Sequence, residues 1–562
     1  EYFQPLAGDT PKSGVLDGLD LTWRRVPGTA RLIELLGEAQ RRFDPRRPAA
    51  TIPLLLQARA ELARLPPSPW QAPKLRELND VIAACAGLYL EATAAGYQVA
   101  PGGALAVTAF ALNRSSAAVT LEEVRLPGGV AARVGAPLAQ HAPRTLTRTV
   151  TVPAATPYSN PYWLSAPAEP GLYPAPDPRL IGEPESPPAL TAEFVLRAGG
   201  EPLIVTRPLG YKWTDPVAGE RTRAVAIGPP FTVTPEAPVL MFPDGKPRAL
   251  VVRVKAGAAG AAGALALELT GGFTATPARA PFKLAGAGDE AELRFRVTPP
   301  RGATTATVRL VSDALPGQPA RALTRIDYGH IPIQTLFPPA EVKLVRFDLK
   351  VPKDHARIGY IAGAGDEVPA ALRAVGYDVT LLDDAALAHG DLGRFGAIVV
   401  GVRAFNTNPR LPFDHARLMD YVAQGGTLVA QYNTNNRLAP LTAPIGPYPF
   451  DISQQRVTDE DAPVTLAAPA HPLLTRPNRI GAADFAGWVQ ERGLYFAGRW
   501  SKEYATVLAM HDPGEPPRRG SVLVARHGKG AFIYTGLAFF RQLPAGVPGA
   551  YRLFTNMIAY GH

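Results

Sequence analysis

The order of apolar and polar residues changes twice along the chain, and the first pattern is helical. Apolar residues recur three and four positions apart from about Gly28 to Ala95. One predicted helix runs from Ile52 to Leu65 and stops at Pro66-Pro67, and another runs from Leu75 to Ala94. We therefore predict that residues 1–96 form a helical segment.

A strand pattern follows the helices. Short apolar and β-branched runs alternate with turn residues across residues 97–228 and again across residues 229–338. The clearest runs are Leu105 to Phe110, Ala249 to Val254 and Glu292 to Val297. Two consecutive regions of this size and strand spacing predict two β-sandwich domains.

The third pattern, over residues 339–562, alternates helices with strands that are almost continuously apolar. Such strands are typical of a parallel sheet with both faces covered. The predicted strands are Ala356 to Ile361, Asp378 to Leu382, Ala397 to Val402 and Thr427 to Tyr432. The whole chain is therefore predicted to be a multidomain α+β protein, with a helical segment, two β-sandwiches and a C-terminal α/β domain.

Composition narrows the class of protein. The 562 residues include 53 Gly, 60 Pro and one Cys, and 46% of them are hydrophobic while 19% are charged. This balance excludes a disordered tail and a coiled coil, and the single Cys excludes a disulfide scaffold. The many Gly and Pro residues fit the turns between short strands.

Charge and chain ends set further expectations. The net charge is +9, but the arginines are scattered and form no long basic run, so we expect no nucleic-acid partner. No apolar stretch reaches the ~18 residues of a membrane span, so we expect no transmembrane segment.

The opening Glu1-Tyr2-Phe3-Gln4 lacks an initiator Met, and we expect a fragment or processed product with any targeting signal upstream. Cys85 falls among the core-facing residues of the third predicted helix and is expected to be an unreactive, buried thiol.

Polar clusters follow three of the predicted parallel strands. They are Gly363 to Glu367, Arg403 to Asn408 and Gln431 to Arg437. Ligands of open α/β sheets bind beyond the carboxyl ends of the strands, and amide and guanidinium groups there suit hydrogen bonding to a sugar. The candidate ligand-binding residues are Arg403, Asn406, Gln431, Tyr432, Asn433, Asn435 and Arg437.

Each cluster also has a purely structural interpretation. Gly363-x-Gly365-Asp366 fits a tight turn in which Asp366 caps the next helix. The Asn residues fit Asx turns. A lone Gly-x-Gly is weak evidence for phosphate binding, because the third Gly of the dinucleotide fingerprint is missing.

Three carboxylates are candidates for acid/base catalysis: Glu460, Glu491 and Asp366. The alternative for the two glutamates is a structural role in salt bridges with Arg456 and Arg492. No His-x-x-x-His, Cys-x-x-Cys or Gly-x-Ser-x-Gly pattern occurs, so no metal site and no serine hydrolase are expected in this chain.

Several segments carry a family resemblance. The chain resembles the C-terminal region of multidomain bacterial PIG-L (LmbE-like) family deacetylases. The similar segments are Pro161 to Leu164, Gly359 to Asp366, Gly401 to Thr407, Gln431 to Thr434, Trp488 to Phe496 and Phe539 to Gly546. The last domain is similar to class I glutamine amidotransferase-like (ThuA-like) domains, which implies a flavodoxin-like fold.

The resemblance also limits what is carried over. The catalytic domain of that family is N-terminal and holds zinc through a His-Pro-Asp-Asp motif, whereas His471-Pro472 here is followed by two leucines. Zinc is therefore expected only in an upstream domain, with no cofactor in this chain. The amidotransferase elbow is expected near Gln431-Tyr432-Asn433, where no Cys occurs, so glutamine hydrolysis is not expected.

The resemblance implies a function and a place. We expect a non-catalytic, carbohydrate-binding accessory portion of a zinc-dependent N-acetyl amino-sugar deacetylase, with a carbohydrate or amino-sugar glycoconjugate as its partner. The alternatives are a stand-alone glycan-acting enzyme that uses carboxylates of the α/β domain, and a self-associating structural protein of the cell surface. The family implies a periplasmic or extracellular location.

Overall fold

A computed structural model describes residues 6–8, 10, 12–169, 171–435, 437, 440–441 and 443–561. The predictions made for Glu1 to Gln4 and for Asn436 lie outside the described residues. The chain is a multidomain α+β protein rich in β-sheet. In the described ranges, no helix is long and apolar enough to cross a membrane.

The first unit combines three helices with a large sheet. Its elements are α1 (Ala30–Arg42), α2 (Ile52–Arg64), α3 (Gln71–Cys85), β1 (Leu88–Ala94), β2 (Gln98–Val99), β3 (Ala104–Asn113), β4 (Val119–Leu126), β5 (Val130–Pro137), β6 (Arg144–Thr151), β7 (Thr191–Ala198), β8 (Glu201–Asp215), β9 (Gly219–Ala224) and β10 (Ala226–Ile227). Eight strands form one sheet in the order β5-β4-β7-β8-β1-β3-β6, with β9 paired to β8, while β10 pairs β2 separately.

The predicted helix from Leu75 to Ala94 is wrong in its second half. Helix α3 ends at Cys85, and Gly87 turns the chain with a φ of +66° into strand β1. The strand alternates buried and partly exposed residues and pairs along its whole length with β3. The boundary predicted at residue 96 therefore separates a strand from its own sheet.

The helices and the sheet also share one hydrophobic core. Leu35, Leu62 and Ile82 of the three helices belong to the same buried cluster as Val107 and Phe194 of the sheet. The helical segment is thus one layer of the first unit.

The second unit consists of two sheets around a common core. Its strands are β11 (Phe231–Pro235), β12 (Val239–Phe242), β13 (Arg248–Ala256), β14 (Ala262–Glu268), β15 (Thr274–Thr276), β16 (Arg279–Lys283), β17 (Glu290–Thr298), β18 (Thr304–Ser312), β19 (Thr324–Ile326), β20 (Gln334–Leu336) and β21 (Glu341–Arg346). The sheets have the orders β11-β13-β17-β15 and β12-β21-β18-β14-β16, and β19 pairs β20. Val254 and Phe295 of one sheet and Leu310 and Leu344 of the other lie in one buried cluster.

Strand β21 lies beyond the boundary predicted at residue 338 but belongs to the second unit. It pairs with β12 and β18, so the second unit extends to Arg346. The physical reason is that the apolar positions of this strand, Val342 and Leu344 among them, complete the core between the two sheets.

The third unit is built on a mainly parallel sheet. Its elements are β22 (Arg357–Ile361), α4 (Val368–Ala374), β23 (Asp378–Leu381), α5 (Asp384–His389), β24 (Ala397–Val400), α6 (Ala404–Thr407), α7 (His415–Ala423), β25 (Thr427–Gln431), β26 (Phe450–Ile452), β27 (Val464–Leu466), α8 (Pro472–Thr475), β28 (Ala497–Trp500), β29 (Ala505–Thr506), β30 (Leu508–Met510), β31 (Val522–His527), β32 (Gly530–Thr535), α9 (Phe539–Gln542) and α10 (Pro548–Ile558). The sheet order is β23-β22-β24-β25-β32-β31-β29.

Strands β23, β22, β24, β25 and β32 are parallel, and β31 returns antiparallel to β32. Alternate residues of β24 enter opposite cores: Val399 joins the cluster of helix α10, and Ile398 joins that of helix α7. The sheet is therefore covered on both faces, which explains its almost continuously apolar strands. The four predicted strands of this unit are confirmed as β22, β23, β24 and β25.

Short 3-10 helices connect these elements. They lie at Trp23–Arg25, Pro48–Thr51, Pro127–Gly129, Tyr162–Leu164, Pro178–Leu180, Lys353–His355, Leu392–Arg394, Leu411–Asp414 and Ala482–Phe485.

The second and third units contact each other directly. Lys343 Nζ donates to the carbonyl of Ala545 at 2.7 Å, and Phe347 packs on Tyr551 with 5.8 Å between ring centroids. A side chain at Gly546 would meet Val239 of the second unit at 2.6 Å. The close approach of the two units therefore requires glycine at this position.

His471 caps helix α8 instead of standing in a metal motif. Its Nδ1 accepts a hydrogen bond from the Leu473 amide at 3.2 Å, and its ring stacks on Tyr560 with 5.3 Å between centroids. Burial lowers the pKa of His471. The ring is therefore held in its neutral form, because a protonated Nδ1 would lose its role as acceptor.

We expect the unfolding midpoint to fall as the pH drops below about 6.5, the ordinary pKa of an unfolded His. Above that pH both states are neutral; below it the unfolded chain takes up a proton more readily than the folded one, so stability is lost as the pH falls through the lowered folded pKa. His415 adds to the fall, because burial lowers its pKa too. Thermal melts across this range should show a smaller fall for His471→Gln. An equal fall in both proteins would contradict the assignment.

Candidate functional site

The carboxyl ends of β22, β24 and β25 lie side by side, as the predicted site requires. The loop after β24 bonds to both neighbours: the Val402 amide donates to Asp366 at 3.3 Å, and the Arg403 amide donates to the Tyr432 carbonyl at 2.8 Å. The three polar clusters of the sequence are thus brought to one edge of the sheet.

Asp366 holds this edge together. One oxygen accepts from the Val368 amide at 3.0 Å, and both oxygens lie within 2.8 Å of the Tyr360 hydroxyl. The N-cap of helix α4 is Glu367 rather than Asp366, but Asp366 accepts from the first amide of the helix, and its carboxylate is occupied by these contacts. Gly363 is required beside it, because a Cβ there would lie 2.1 Å from the Val402 carbonyl.

Asn433 and Asn406 join the loops after β24 and β25. The amide of Asn433 is fully buried: its Oδ1 accepts from the Phe405 amide at 3.0 Å, and its Nδ2 donates to the Gln431 carbonyl at 3.0 Å. Asn406 exchanges two hydrogen bonds of 2.8 Å with the backbone of Thr434. The side-chain amides of both predicted ligand residues therefore form their hydrogen bonds within the protein.

The other predicted ligand residues of the β25 loop divide into a buried and an exposed set. Gln431 is buried, donates from Nε2 to the Tyr360 hydroxyl at 3.1 Å, and leaves its Oε1 without a partner. Asn435 and Arg437 are exposed, and Asn435 Oδ1 accepts from the Leu441 amide at 3.2 Å. These two exposed residues remain able to contact a ligand.

Arg403 occupies the strained position of this edge. It has a φ of 57° and a ψ of 24°, in the left-handed region, directly before helix α6. The sharp strand-to-helix elbow expected near Gln431-Tyr432-Asn433 therefore follows β24 instead of β25. The Arg403 side chain is half-buried, and its Nε has no hydrogen-bond partner.

An aromatic stack lies beside Arg403. The rings of Tyr432 and Tyr495 are 5.5 Å apart and nearly parallel, at 14°, and Phe540 packs on Tyr432 at 5.4 Å. Burial raises the pKa of Tyr432, and the charge of Arg403 opposes that rise. Tyr432 is buried, so it supports the half-buried Tyr495 from behind.

Glu491 and Glu460 do not form the salt bridges proposed for them. Glu491 pairs with Arg541 at 2.8 Å. The buried Arg492 donates to the carbonyls of Ala462, at 2.8 and 3.0 Å, and of Phe485.

Burial lowers the pKa of the Arg492 guanidinium, and the charge of Glu460 is one of those that oppose this fall.

An open cleft of about 740 Å³ adjoins the aromatic stack. Its lining residues are mostly polar and come from three separate segments. They are Gln454, Gln455, Arg456, Thr458, Glu491, Leu494, Tyr495, Glu515 and Arg518. This set is called the polar cleft below.

A second cavity, of about 770 Å³, lies at the opposite end of the sheet. It is lined by Phe395, Gly426 and Lys529, which lie one or two residues before β24, β25 and β32. Ligands of open α/β sheets bind at the carboxyl ends of the strands, so the slightly smaller polar cleft is the better candidate.

Strained backbone is concentrated around the polar cleft. Among the described residues of the third unit, three non-glycine residues have positive φ angles: Arg403 at 57°, Gln490 at 66° and Tyr495 at 54°. Strain of this kind persists where the surrounding structure fixes it, and it clusters at binding and active sites.

Sequence reasoning missed Tyr495, Arg541 and Arg518. Tyr495 lies in the segment from Trp488 to Phe496, which was noted only for its family resemblance. Its signal is a Tyr-Phe pair in a loop segment with several charged residues. Tyr495 does not follow a strand of the parallel sheet. It lies in the long connection between β25 and β32, which brings it to the edge of the sheet.

The described residues offer zinc no site. Within that part of the chain, no group of three or more His, Cys, Asp or Glu side chains lies close enough together to hold a metal ion. The single thiol, Cys85, is buried in the first unit, and burial raises its pKa.

No protein-family model matches the chain, and no curated protein matches it. A protein of unknown function from Porphyromonas gingivalis W83 aligns at 13% identity over 46% of this chain and 99% of its own, with a TM-score of 0.12.

The E. coli alpha-2-macroglobulin aligns at 13% identity over 46% of this chain and 17% of its own, with a TM-score of 0.15. The adhesin InvE of Yersinia pseudotuberculosis aligns at 13% identity over 45% of this chain and 58% of its own, with a TM-score of 0.12. The chain thus spans under a fifth of the macroglobulin, and TM-scores this low carry no argument about fold or function.

Proposed function

We propose that this chain is a non-catalytic, carbohydrate-binding accessory portion of a PIG-L (LmbE-like) amino-sugar deacetylase, and that it binds sugar in the polar cleft. The observation that carries the proposal is the Tyr495 ring, which lines the cleft and is stacked from behind on Tyr432. An aromatic ring fixed in this way offers an apolar surface to the hydrogen-bearing face of a sugar ring.

The rest of the lining supplies the hydrogen bonds that a sugar needs. Gln454 and Gln455 offer amide groups, Arg456 and Arg518 offer guanidinium donors, and Glu491 offers a carboxylate acceptor. A cavity of about 740 Å³ is within the usual size of small-molecule sites.

The fold and place of the chain complete the proposal. The third unit has a flavodoxin-like, amidotransferase-like fold, and the first two units are platforms that present it. The protein acts in the periplasm or at the cell surface, beside an upstream deacetylase domain. The family resemblance of the sequence supports these three statements.

Tyr495→Ala should weaken binding of chitotetraose or its deacetylated form at least about fivefold, since stacking on an aromatic ring contributes on the order of 1–3 kcal/mol. Ala keeps the backbone carbonyl that accepts from Tyr534 Oη, so this contact survives. Isothermal titration calorimetry with both tetrasaccharides measures the change.

The matched control is Tyr173→Ala, which removes a tyrosine that is 61% exposed in the first unit. Its affinity should equal that of the unchanged protein. Binding of neither tetrasaccharide, or equal affinity after Tyr495→Ala, would contradict the proposal.

A stand-alone glycan-acting enzyme is the second candidate. It is favoured by two carboxylates, Glu491 and Glu515, that line the same cleft. Hydrolysis of the same tetrasaccharides that is lost in Glu491→Gln would replace the binding proposal with this one.

A further inference from the structure

A second groove lies between the first and second units, away from the polar cleft. It has a volume of about 330 Å³ and is lined by aromatic and basic side chains. The lining residues are Tyr97, Gln98, Tyr211, Trp213, Arg223, Lys255, Leu323, Arg325, Ile333 and Thr335. This set is called the inter-unit groove.

Two antiparallel strand pairs build the groove. Tyr211 on β8 is paired directly with Arg223 on β9, and Trp213 lies two residues further along β8 on the same face. From the second unit, Arg325 on β19 is paired directly with Thr335 on β20. Side chains of opposed positions share a face, so each pair presents its groups together.

Aromatic rings form the wall from the first unit. Tyr211 and Trp213 stack at 5.9 Å and 17°, and Tyr97 meets Tyr211 edge to face at 5.9 Å. Tyr97 is 37% exposed, so its ring remains open to solvent. The three rings, joined through Tyr211, make a fixed apolar platform.

Arg223 stands at the centre of the groove. Its guanidinium lies 4.9 Å above the Tyr97 ring, and its Nη2 donates to Thr335 Oγ1 at 2.8 Å, which joins the two strand pairs. Burial, and after it the repulsion of Arg325, lowers the pKa of Arg223. The position is therefore unfavourable for a cation on its own.

The neighbouring cations have carboxylate partners, whereas Arg223 does not. Lys255 pairs with Glu290 at 2.9 Å, and Arg325 pairs with Asp327. Among the described residues, Arg223 forms no ion pair, and its Nε is buried without a hydrogen-bond partner. An anion supplied by a ligand would compensate this charge.

We propose that the inter-unit groove binds a pyranose that carries a carboxylate, with the sugar ring on Tyr211 and Trp213 and the carboxylate on Arg223. Aromatic rings bind the apolar face of the sugar, and the guanidinium fork binds the two carboxylate oxygens. A further cavity of about 270 Å³ shares the lining residues Arg223, Ile333 and Thr335 with the groove and has room for a neighbouring sugar unit. This site is independent of the polar cleft.

The test compares tetragalacturonate with its methyl ester, which has the same rings without the charge. Calorimetry should show that the acid binds at least about tenfold more tightly than the ester, since a hydrogen bond to a charged group contributes on the order of 1.5–3 kcal/mol. Arg223→Met should remove that preference, and Trp213→Ala should weaken both ligands.

Controls separate this site from the cleft and from other ligands. Arg148→Met, an exposed arginine on β6 that does not line the groove, and Tyr495→Ala in the cleft should leave tetragalacturonate binding unchanged. Equal binding of acid and ester by the unchanged protein would overturn the proposal even if Arg223→Met failed to fold. Tighter binding of a short single-stranded DNA would overturn it as well, because the groove would then be a nucleic-acid site.

Discussion

We expect Asn433→Ala to destabilise the third unit strongly, although the sequence predicts Asn433 as a ligand-binding residue. The substitution leaves two buried backbone groups unpaired, the Phe405 amide and the Gln431 carbonyl. Each such group costs about 1–3 kcal/mol. Urea unfolding followed by circular dichroism should therefore show a lower free energy of unfolding.

The matched control is Asn435→Ala, two residues away. Asn435 is exposed, and its single contact in the described residues is a hydrogen bond of 3.2 Å from the Leu441 amide. We expect a change within about 0.5 kcal/mol, as for most surface substitutions. Equal stability of the Asn433→Ala protein and the unchanged protein would show that the Asn433 amide does not hold the two loops together.

This contrast also shows why residue type alone could not identify the ligand residues. Asn suits a sugar-binding loop and an internal loop clamp equally well, because its amide both donates and accepts. Asn433 meets its partner Phe405 across 28 positions of the chain. Whether Asn433 binds a ligand or joins two loops depends on that long-range contact, which no local sequence pattern predicts.

The fold was predicted best for strands that are buried on both faces of their sheet. The strands of the third unit are covered on both faces, so apolar runs such as Ala397–Val400 carry a clear signal. The helix predicted over the residues of β1 is wrong. The stretch from Ala83 to Ala94 is rich in alanine and suits a helix by propensity. Its pairing with β3 decides the outcome, and that partner lies beyond Gly96.

The candidate site was predicted in part for a related reason. Strand ends mark the edge of a parallel sheet, so Arg403 and Tyr432 were found at their neighbouring positions. Tyr495 and the Glu491–Arg541 ion pair reach the same edge from distant segments. Only the folded chain brings Glu491 to Arg541, 50 positions further on.

Arg492→Met is the second change from which we expect a large effect. The guanidinium of Arg492 is buried, with the residue 4% exposed, and it bonds the carbonyls of Ala462 and Phe485 while lying 5.7 Å from the Trp488 ring. Met fills much of the space but supplies no donor. Each of the two carbonyls left unpaired costs about 1–3 kcal/mol.

The substitution should weaken sugar binding in the polar cleft as well as lower the free energy of unfolding. Arg492 directly follows Glu491, and its backbone amide bonds the Val457 carbonyl at 3.0 Å, between Arg456 and Thr458 of the lining. Urea unfolding and tetrasaccharide titration on the same samples measure both effects.

Arg456→Met is the matched control for stability, because Arg456 is exposed at the cleft. It should unfold like the unchanged protein and yet bind sugar more weakly. If Arg492→Met unfolds at the same urea concentration as Arg456→Met, the buried guanidinium does not stabilise the walls of the cleft.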